Sequence, residues 1–185
     1  CVTAMSPFSD SVSEAASRGW SIISANFLQP TWIESHWQKL KEGWESSGSV
    51  EKREDWRVAR SIFVAEDEKT ATNYARDLRG PYGHYYKNIM KKLLGNNRSD
   101  LFKTEPTMRT KDITLEFVMD SMIIHGTPEQ VTEKILAFRD VVGPFGTLVY
   151  AGHDWSDFQL SKRSMELMAK EVIPAVNKTL REFVS

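Results

Sequence analysis

Residues 56–65 read Trp-Arg-Val-Ala-Arg-Ser-Ile-Phe-Val-Ala, a short apolar run that contains two arginines. Val58, Ile62 and Val64 fall on one face of an extended chain, so the run predicts a β-strand. Comparable short apolar runs predict three further strands, at residues 1–5, 20–27 and 147–151.

Amphipathic helical patterns lie between these strands. In the helix that opens at Pro30, Ile33, Trp37, Leu40 and Trp44 recur at the spacing of one helix face. The stretch Thr-Pro-Glu-Gln at 127–130 is a strong helix start, with a capping threonine, a first-turn proline and a glutamine that closes a capping box. Helices are predicted at residues 12–18, 30–45, 67–78, 82–94, 113–122, 128–142 and 155–184, with a kink in the last one at Pro174.

Four strand–helix units in succession predict a parallel sheet with right-handed crossovers. They fit an open doubly wound sheet or half of an eight-unit barrel. The insertion at about 66–111, after the third strand, is too long for an ordinary connection and is typical of a lid or binding loop. We expect one domain over residues 1–185, and because the chain opens at Cys1 inside a predicted strand, we expect a piece of a longer protein.

The composition excludes several classes of protein. Twenty-four basic and 25 acidic residues make the chain nearly neutral, which argues against a nucleic-acid or membrane-surface binder. The single cysteine, Cys1, rules out an internal disulfide and a cysteine-based metal site. We expect a cytoplasmic protein without a membrane span and without a metal.

Candidate ligand-binding residues lie where the predicted strands end. Ser6, Ser9 and Ser11 follow the first strand and can donate to a phosphate at a helix N-terminus, or Ser9 or Ser11 can simply cap that helix. His153 and Asp154 follow the last predicted strand, where a structural role such as helix capping by Asp154 or Ser156 is expected over acid–base catalysis.

A second group of candidates is aromatic. Tyr82, Tyr85 and Tyr86, with His84, can line a pocket or pack as an ordinary amphipathic helix face. The histidines at 36 and 125 have no partner at metal-ligand spacing, and structural roles are expected for both. Arg57 and Arg60 lie on opposite faces of one strand, and the sequence leaves open which of them points toward an anion inside a barrel.

Seven stretches of the chain share one pattern of order and spacing. They are Ala-Met-Ser-Pro at 4–7, Ala-Ala at 15–16, Gly-Trp at 19–20, Ile-Ser-Ala-Asn-Phe at 23–27, 55–65, 125–131 and 145–155. Together, and over nearly the whole chain, they resemble the bacterial-luciferase-like flavin monooxygenases, with the greatest similarity to the limonene-monooxygenase-like branch.

The resemblance implies a (β/α)8 barrel of which this chain holds the C-terminal half, strands five to eight. It implies reduced FMN as cofactor, supplied by a separate flavin reductase, and a reaction with O2 that oxidises a small organic substrate. The family's phosphate loop maps onto Met5, Ser6, Ser9 and Ser11. We take Asn26, Tyr85 and Tyr86 as candidate substrate-pocket residues, and no catalytic residue can be carried over.

Two other functions stay open at this point. One is a non-catalytic half-barrel that acts in binding or assembly, and the other is a deazaflavin-dependent oxidoreductase of the same superfamily. Since a half-barrel leaves two open sheet edges, the first and last predicted strands should pair with the missing N-terminal half or with a second copy. A homo-oligomer, such as a dimer, is expected.

Overall fold

The computed structural model describes residues 1–105, 107–153 and 156–182. Within these ranges the strands are β1 (Val2–Ala4), β2 (Ile22–Ser24), β3 (Arg57–Val64), β4 (Ile123–Gly126) and β5 (Thr147–Ala151). The helices are α1 (Asp10–Ser17), α2 (Pro30–Ser47), α3 (Glu68–Ala75), α4 (Pro81–Gly95), α5 (Leu115–Met122), α6 (Pro128–Val142), α7 (Phe158–Leu167) and α8 (Ile173–Glu182).

All strand pairs of this sheet are parallel, and β3 is its centre. Arg57 and Val58 pair with both β2 and β5, which therefore lie on opposite edges of β3. Ser61 pairs with both β4 and β5, so β4 continues along the edge that β2 occupies at the start of β3. The prediction of parallel βα units is confirmed.

The structure contains a strand, β4, that the sequence analysis did not predict. The prediction of four strand–helix units is wrong in this respect. It has only four residues and follows α5 directly, with Met122, Ile123 and Ile124 running on from one element to the next. An apolar run that continues a helix gives no signal for a change to strand, because helix and strand both bury such residues.

The final helix differs from its predicted form. It consists of α7 and α8 joined by a π-helical turn at Met168–Val172, directly before Pro174. Proline has no N–H to donate to the preceding turn, which accounts for the irregular hydrogen bonding at this point. Asp157 caps α7 by accepting from the N–H of Leu160, whereas Ser156 was expected to cap it. Asp154, the other expected cap, lies outside the described residues.

Two helices on the outside of the sheet form as the sequence predicts. Thr127 and Gln130 make both bonds of the capping box that starts α6. The helix α2 packs against α1 at Gly43, where a Cβ would lie 2.6 Å from the Cβ of Ala16. Only a residue without a side chain permits this approach.

Arg60 is buried on the helix-covered face of β3. Its guanidinium donates to the carbonyls of Leu28 and Ser121, each at 2.7 Å, and lies 4.9 Å from the ring centre of Phe138 in α6. Leu28 follows β2 and Ser121 precedes β4, so Arg60 closes the gap between these two strands. The sequence left open which arginine points toward an anion, and the structure shows that the Arg60 guanidinium bonds to backbone carbonyls.

The insertion after β3 contains α3, α4, two short 3₁₀ turns (Ser99–Phe102 and Thr110–Asp112) and α5. Leu101 and Phe102 are buried, and the side-chain amide of Gln29 donates to the Phe102 carbonyl at 2.9 Å. This part of the insertion, predicted as a lid or binding loop, is therefore anchored to the rest of the chain at these two residues.

The outer edges of the sheet are open among the described residues. In that part of the chain, β1 pairs with β2 alone and β5 pairs with β3 alone. No helix within the described ranges is both long enough and apolar enough to cross a membrane.

Candidate functional site

Polar side chains from the ends of β2 and β5 and from α4 meet around Ser61 of β3. The Asn26 amide, just after β2, donates to Ser61 Oγ at 3.0 Å, and the Tyr86 hydroxyl of α4 donates to the same oxygen at 2.9 Å. His153, just after β5, places Nε2 3.0 Å from Ser61 Oγ. Ligands of parallel sheets bind at these carboxyl ends, which makes this cluster the first candidate for a binding site.

Tyr85 joins the cluster to the surface. Its hydroxyl donates to Oδ1 of Asn26 at 2.8 Å, and its ring lies 4.2 Å from the imidazole of His153, centre to centre. Burial raises the pKa of Tyr85 and of Tyr86, so both remain phenols near neutral pH. The predicted pocket residues Asn26, Tyr85 and Tyr86 therefore lie together.

A groove of about 550 Å³ runs past this cluster. Tyr85 and His153 form part of its wall, and His84, Asn88 and Lys92 contribute polar groups from α4. Tyr82 is not part of the groove wall. It is buried, and its hydroxyl donates to the Ile62 carbonyl at 2.6 Å.

The loop that follows β1 begins beside the end of β2, at the same edge of the sheet as Asn26. The Ala25 N–H donates to the Ala4 carbonyl at 2.9 Å, so Met5 and Asn26 follow neighbouring strand ends. Ser9 occupies the N-cap position of α1, but its side chain makes no capping bond and instead lies 2.8 Å from Ser11 Oγ. The alternative prediction, that Ser9 or Ser11 caps the helix through its hydroxyl, is therefore wrong.

Two neighbouring residues of α2 fix the backbone of this loop. Ser35 Oγ accepts from the Phe8 N–H at 3.0 Å, and His36 Nε2 lies 2.8 Å from the Ser6 carbonyl oxygen. Phe8 has φ of 50°, a left-handed conformation that is uncommon for a bulky residue. The loop is thus held in a conformation that the chain would not adopt freely.

His36 is itself fixed from beneath. Trp56 Nε1 donates to Ser24 Oγ at 2.9 Å, and Ser24 Oγ lies 2.8 Å from His36 Nδ1. Burial lowers the pKa of His36, which keeps the imidazole neutral. The structural role expected for this residue is confirmed, and that role is to hold the loop.

An arginine that the sequence did not single out reaches the same loop. Arg98, which follows α4, donates through Nη2 to Ser6 Oγ. No ion pair forms between Arg98 and a carboxylate in the described residues. The sequence analysis missed this contact because Arg98 and Ser6 are 92 residues apart in the chain.

Other candidates do not form a site. Among the described residues no group of three His, Cys, Asp or Glu side chains could hold a metal ion. His125 lies in β4, and burial lowers its pKa.

The parallel sheet and the polar cluster around Ser61 define an α/β protein with a candidate ligand site beside the carboxyl ends of β2 and β5. Residues 1–143 match the luciferase-like monooxygenases, and the chain belongs to that family. The resemblance described from the sequence is thereby confirmed.

Curated relatives have known activities. The chain is 29% identical over 181 residues to 3,6-diketocamphane 1,6-monooxygenase of Pseudomonas putida, a match that covers 95% of this chain and 46% of that protein. It is 26% identical over 170 residues to limonene 1,2-monooxygenase of Rhodococcus erythropolis, covering 90% and 41%. The chain spans about half the length of the curated relatives it matches.

Solved structures give the same result for the fold. The oxygenating constituent of 3,6-diketocamphane monooxygenase from Pseudomonas putida, in complex with FMN, superposes with a TM-score of 0.81 at 28% identity, covering 94% of this chain and 48% of that one. The monooxygenase RslO1 from Streptomyces bottropensis has a TM-score of 0.59 at 18% identity, covering 94% and 46%, which is a likeness of fold alone.

Proposed function

We propose that this chain is the C-terminal half, strands five to eight, of a (β/α)8 flavin-dependent monooxygenase that uses reduced FMN and O2 to oxidise a small organic substrate. The observation that carries the proposal is the polar cluster around Ser61 of β3, which lies beside the carboxyl ends of β2 and β5, where barrel enzymes bind their ligands. The similarity to an FMN-bound oxygenating component supports the choice of cofactor.

The loop after β1 has the donors that a flavin phosphate requires. Ser6 and Ser9 supply hydroxyls ahead of α1 and Ser11 supplies one in its first turn, and the N-terminus of this helix favours an anion. The Arg98 guanidinium adds a positive charge at Ser6. The donor set therefore fits a phosphate dianion, and Met5 lies beside it at the end of β1.

The substrate end of the site is the groove beside the cluster. Asn26 and Tyr86 are fixed by their hydrogen bonds to Ser61. Tyr85 and His153 form part of the wall of the groove. Reduced FMN, when bound, supplies the two electrons that activate O2. The residues of this chain orient the substrate against it and exclude water.

The partners follow from this assignment. The open edges of β1 and β5 are the places where the remaining half of a barrel would pair. A second copy of the chain is the other candidate for those edges, and homo-oligomers such as a dimer are the common assembly of soluble enzymes. A separate flavin reductase in the cytoplasm would deliver reduced FMN.

Oxygen transfer by the full-length protein tests the proposal. The protein is mixed with FMN, NADH and a flavin reductase, with 3,6-diketocamphane as probe. We expect a product heavier than the probe by one oxygen atom, formed only when O2 and FMN are both present. If the protein binds FMN and the reductase consumes NADH, but neither the probe nor limonene is oxygenated, the monooxygenase assignment is contradicted.

The same assay separates the two alternatives. A deazaflavin-dependent oxidoreductase would reduce or oxidise its substrate without O2, and a non-catalytic half-barrel would bind neither cofactor. The likeness to a coenzyme F420-dependent reductase from Methanopyrus kandleri, at 17% identity, is one of fold alone, so FMN is the cofactor we propose.

A further inference from the structure

Part of the insertion after β3 has a strong positive charge in a chain that is nearly neutral. Residues 78–99, which contain α4, have five basic side chains and no aspartate or glutamate, whereas the whole chain has a net charge of −1. We call residues 78–99 the basic stretch. Its basic residues are Arg79, Lys87, Lys91, Lys92 and Arg98.

Ion pairing does not neutralise the basic stretch. Within the described residues, none of its five basic side chains pairs with a carboxylate. Basic side chains elsewhere in the insertion do form such pairs, which are Arg76 with Asp120, Lys103 with Asp100 and Arg109 with Asp112. The uncompensated charge of the insertion is therefore concentrated on α4 and the residues that flank it.

The basic stretch extends from the groove to the loop after β1. Lys92 lines the groove beside Tyr85, and Arg98 donates to Ser6 Oγ in the loop. Because a helix rises about 1.5 Å per residue, Lys87 and Lys91 lie within about 10 Å of Tyr85 along the axis of α4. This distance is about one screening length at 0.1 M salt, so both charges act on an ion at the groove.

The acidic residue closest in sequence to the serines of this loop does not oppose the basic stretch as a free charge. Asp10, in the first turn of α1, accepts from Lys39 Nζ at 3.0 Å. An anion that approaches the loop therefore meets a carboxylate that already has a cationic partner.

We propose that the basic stretch attracts the phosphate of FMN from solution and raises the rate at which the flavin enters the site. This inference rests on the proposed function, because it takes FMN as the ligand. A phosphate monoester carries nearly two negative charges at neutral pH. Charge of the opposite sign around a cleft raises the association rate constant of such a ligand. Lys87 and Lys91 act through their charge and make no contact with the bound flavin.

Rapid capture matters for a reduced flavin. In water, free reduced FMN passes two electrons and two protons to O2, which gives FMN and hydrogen peroxide. Electrons lost in this way never reach the substrate. A higher association rate constant therefore increases the fraction of reduced flavin that the protein can use.

Stopped-flow mixing of FMN with the full-length protein at pH 8, followed by flavin fluorescence, tests the proposal. We expect the association rate constant to fall as ionic strength rises from about 20 mM to about 300 mM, because salt screens the attraction between separated charges. An association rate constant that does not depend on ionic strength would overturn the proposal.

Three double variants locate the charge that is responsible. At an ionic strength of about 20 mM, Lys87→Gln/Lys91→Gln should lower the association rate constant about three- to five-fold, as expected for two unit charges about 10–15 Å from a dianion. Its dissociation rate constant should stay at the wild-type value. Lys87→Arg/Lys91→Arg keeps both charges and should associate as wild type does. Lys41→Gln/Lys52→Gln removes the same charge from the crossover that leads to the start of β3, and it should also associate as wild type does.

The outcomes separate this inference from the proposed function. A Lys87→Gln/Lys91→Gln protein that associates at the wild-type rate, or that changes only in its dissociation rate constant, would overturn the inference. So would an equal loss in the arginine variant or in the Lys41/Lys52 control. If wild type does not bind FMN, the flavin assignment itself is refuted, and the inference falls with it. If wild type binds FMN at a rate that salt does not alter, this inference alone is refuted.

Discussion

His36 connects the packing of the sheet to the loop after β1. Its ring lies between the Ser24 hydroxyl and the Ser6 carbonyl, at 2.8 Å from each. A protonated imidazole would carry an N–H on both nitrogens, and Nδ1 could then no longer accept from Ser24. The protonated ring would still donate to the Ser6 carbonyl, so the complete set of bonds, including the one accepted from Ser24, requires the neutral form.

Acid should destabilise the folded protein through this residue. Burial lowers the pKa of His36 in the folded state, so the unfolded chain takes up the proton at a higher pH. The free energy of unfolding should fall as pH drops below about 6.5, the ordinary histidine value. Calorimetric melting between pH 8 and pH 5 measures this dependence.

A matched pair of variants isolates the contribution of His36. His36→Gln should make the dependence of melting temperature on pH shallower, whereas His84→Gln, at an exposed position of α4, should keep the wild-type slope. Equal slopes for wild type and His36→Gln would contradict the assignment.

The sequence identified some residues of the candidate site and missed others. Asn26, Tyr85 and Tyr86 were predicted as pocket residues and do lie together. Ser61 was missed because a small polar residue inside an apolar strand carries no periodic signal. For His153 a structural role was expected, since contacts over 92 residues cannot be read from local spacing.

Helix α1 and helix α2 approach each other most closely at Gly43. Replacing it by alanine would place a Cβ 2.6 Å from that of Ala16, and closer still to the Ser13 carbonyl oxygen. We expect Gly43→Ala to lower the free energy of unfolding by about 1–3 kcal/mol, because the helices must separate. Chemical denaturation measures the change.

Gly95, the last residue of α4, is the control for this change. A Cβ there meets nothing within 4 Å. Gly95→Ala should leave stability unchanged or raise it by up to about 1 kcal/mol. Equal losses in both variants would mean that helix contact is not the cause.

The segment 95–111 is the element for which we predict motion. It contains short 3₁₀ turns, and Asn97 has φ of 55°. Segments with few regular hydrogen bonds open at low cost, and lids are drawn from them. Amide hydrogen exchange should be faster here than in β3 and should slow when FMN binds, because Arg98 joins this segment to Ser6.

Two results would contradict this role. Protection of residues 95–111 equal to that of β3 would exclude a lid. Exchange that FMN leaves unchanged would remove the link between the segment and the cofactor.

The sequence predicted strands and helices correctly where the periodic pattern of apolar residues, or a capping motif, was clear. The capping box of α6 and the buried face of α2 were both predicted. β4 was not, because its first two residues, Ile123 and Ile124, continue the apolar run at the end of α5. A short strand forms here through its pairing with β3, which is a property of the tertiary fold.

On the scale of the whole sheet, β1, β4 and β5 each pair with a single strand within the described residues, so the sheet has open edges. Unpaired strand edges bind other chains. Produced alone, the 185-residue chain should therefore self-associate through β1 and β5, and the remaining half of the full-length protein, added as a separate chain, should replace this association with a heterodimer. Sedimentation velocity measures both. A stable monomer with no affinity for the other half would contradict the half-barrel assignment.

The central claim is that the loop after β1 binds the phosphate of FMN. Removing the hydroxyls of Ser9 and Ser11 together deletes two hydrogen bonds to a charged group, each worth about 1.5–3 kcal/mol. Titration calorimetry of FMN into the full-length Ser9→Ala/Ser11→Ala protein should give an affinity at least about ten-fold weaker than wild type. Ser13→Ala is the control, because that hydroxyl lies on the same helix but donates to the Asp10 carbonyl, and it should bind FMN as wild type does. Wild-type affinity in the double variant would contradict the account.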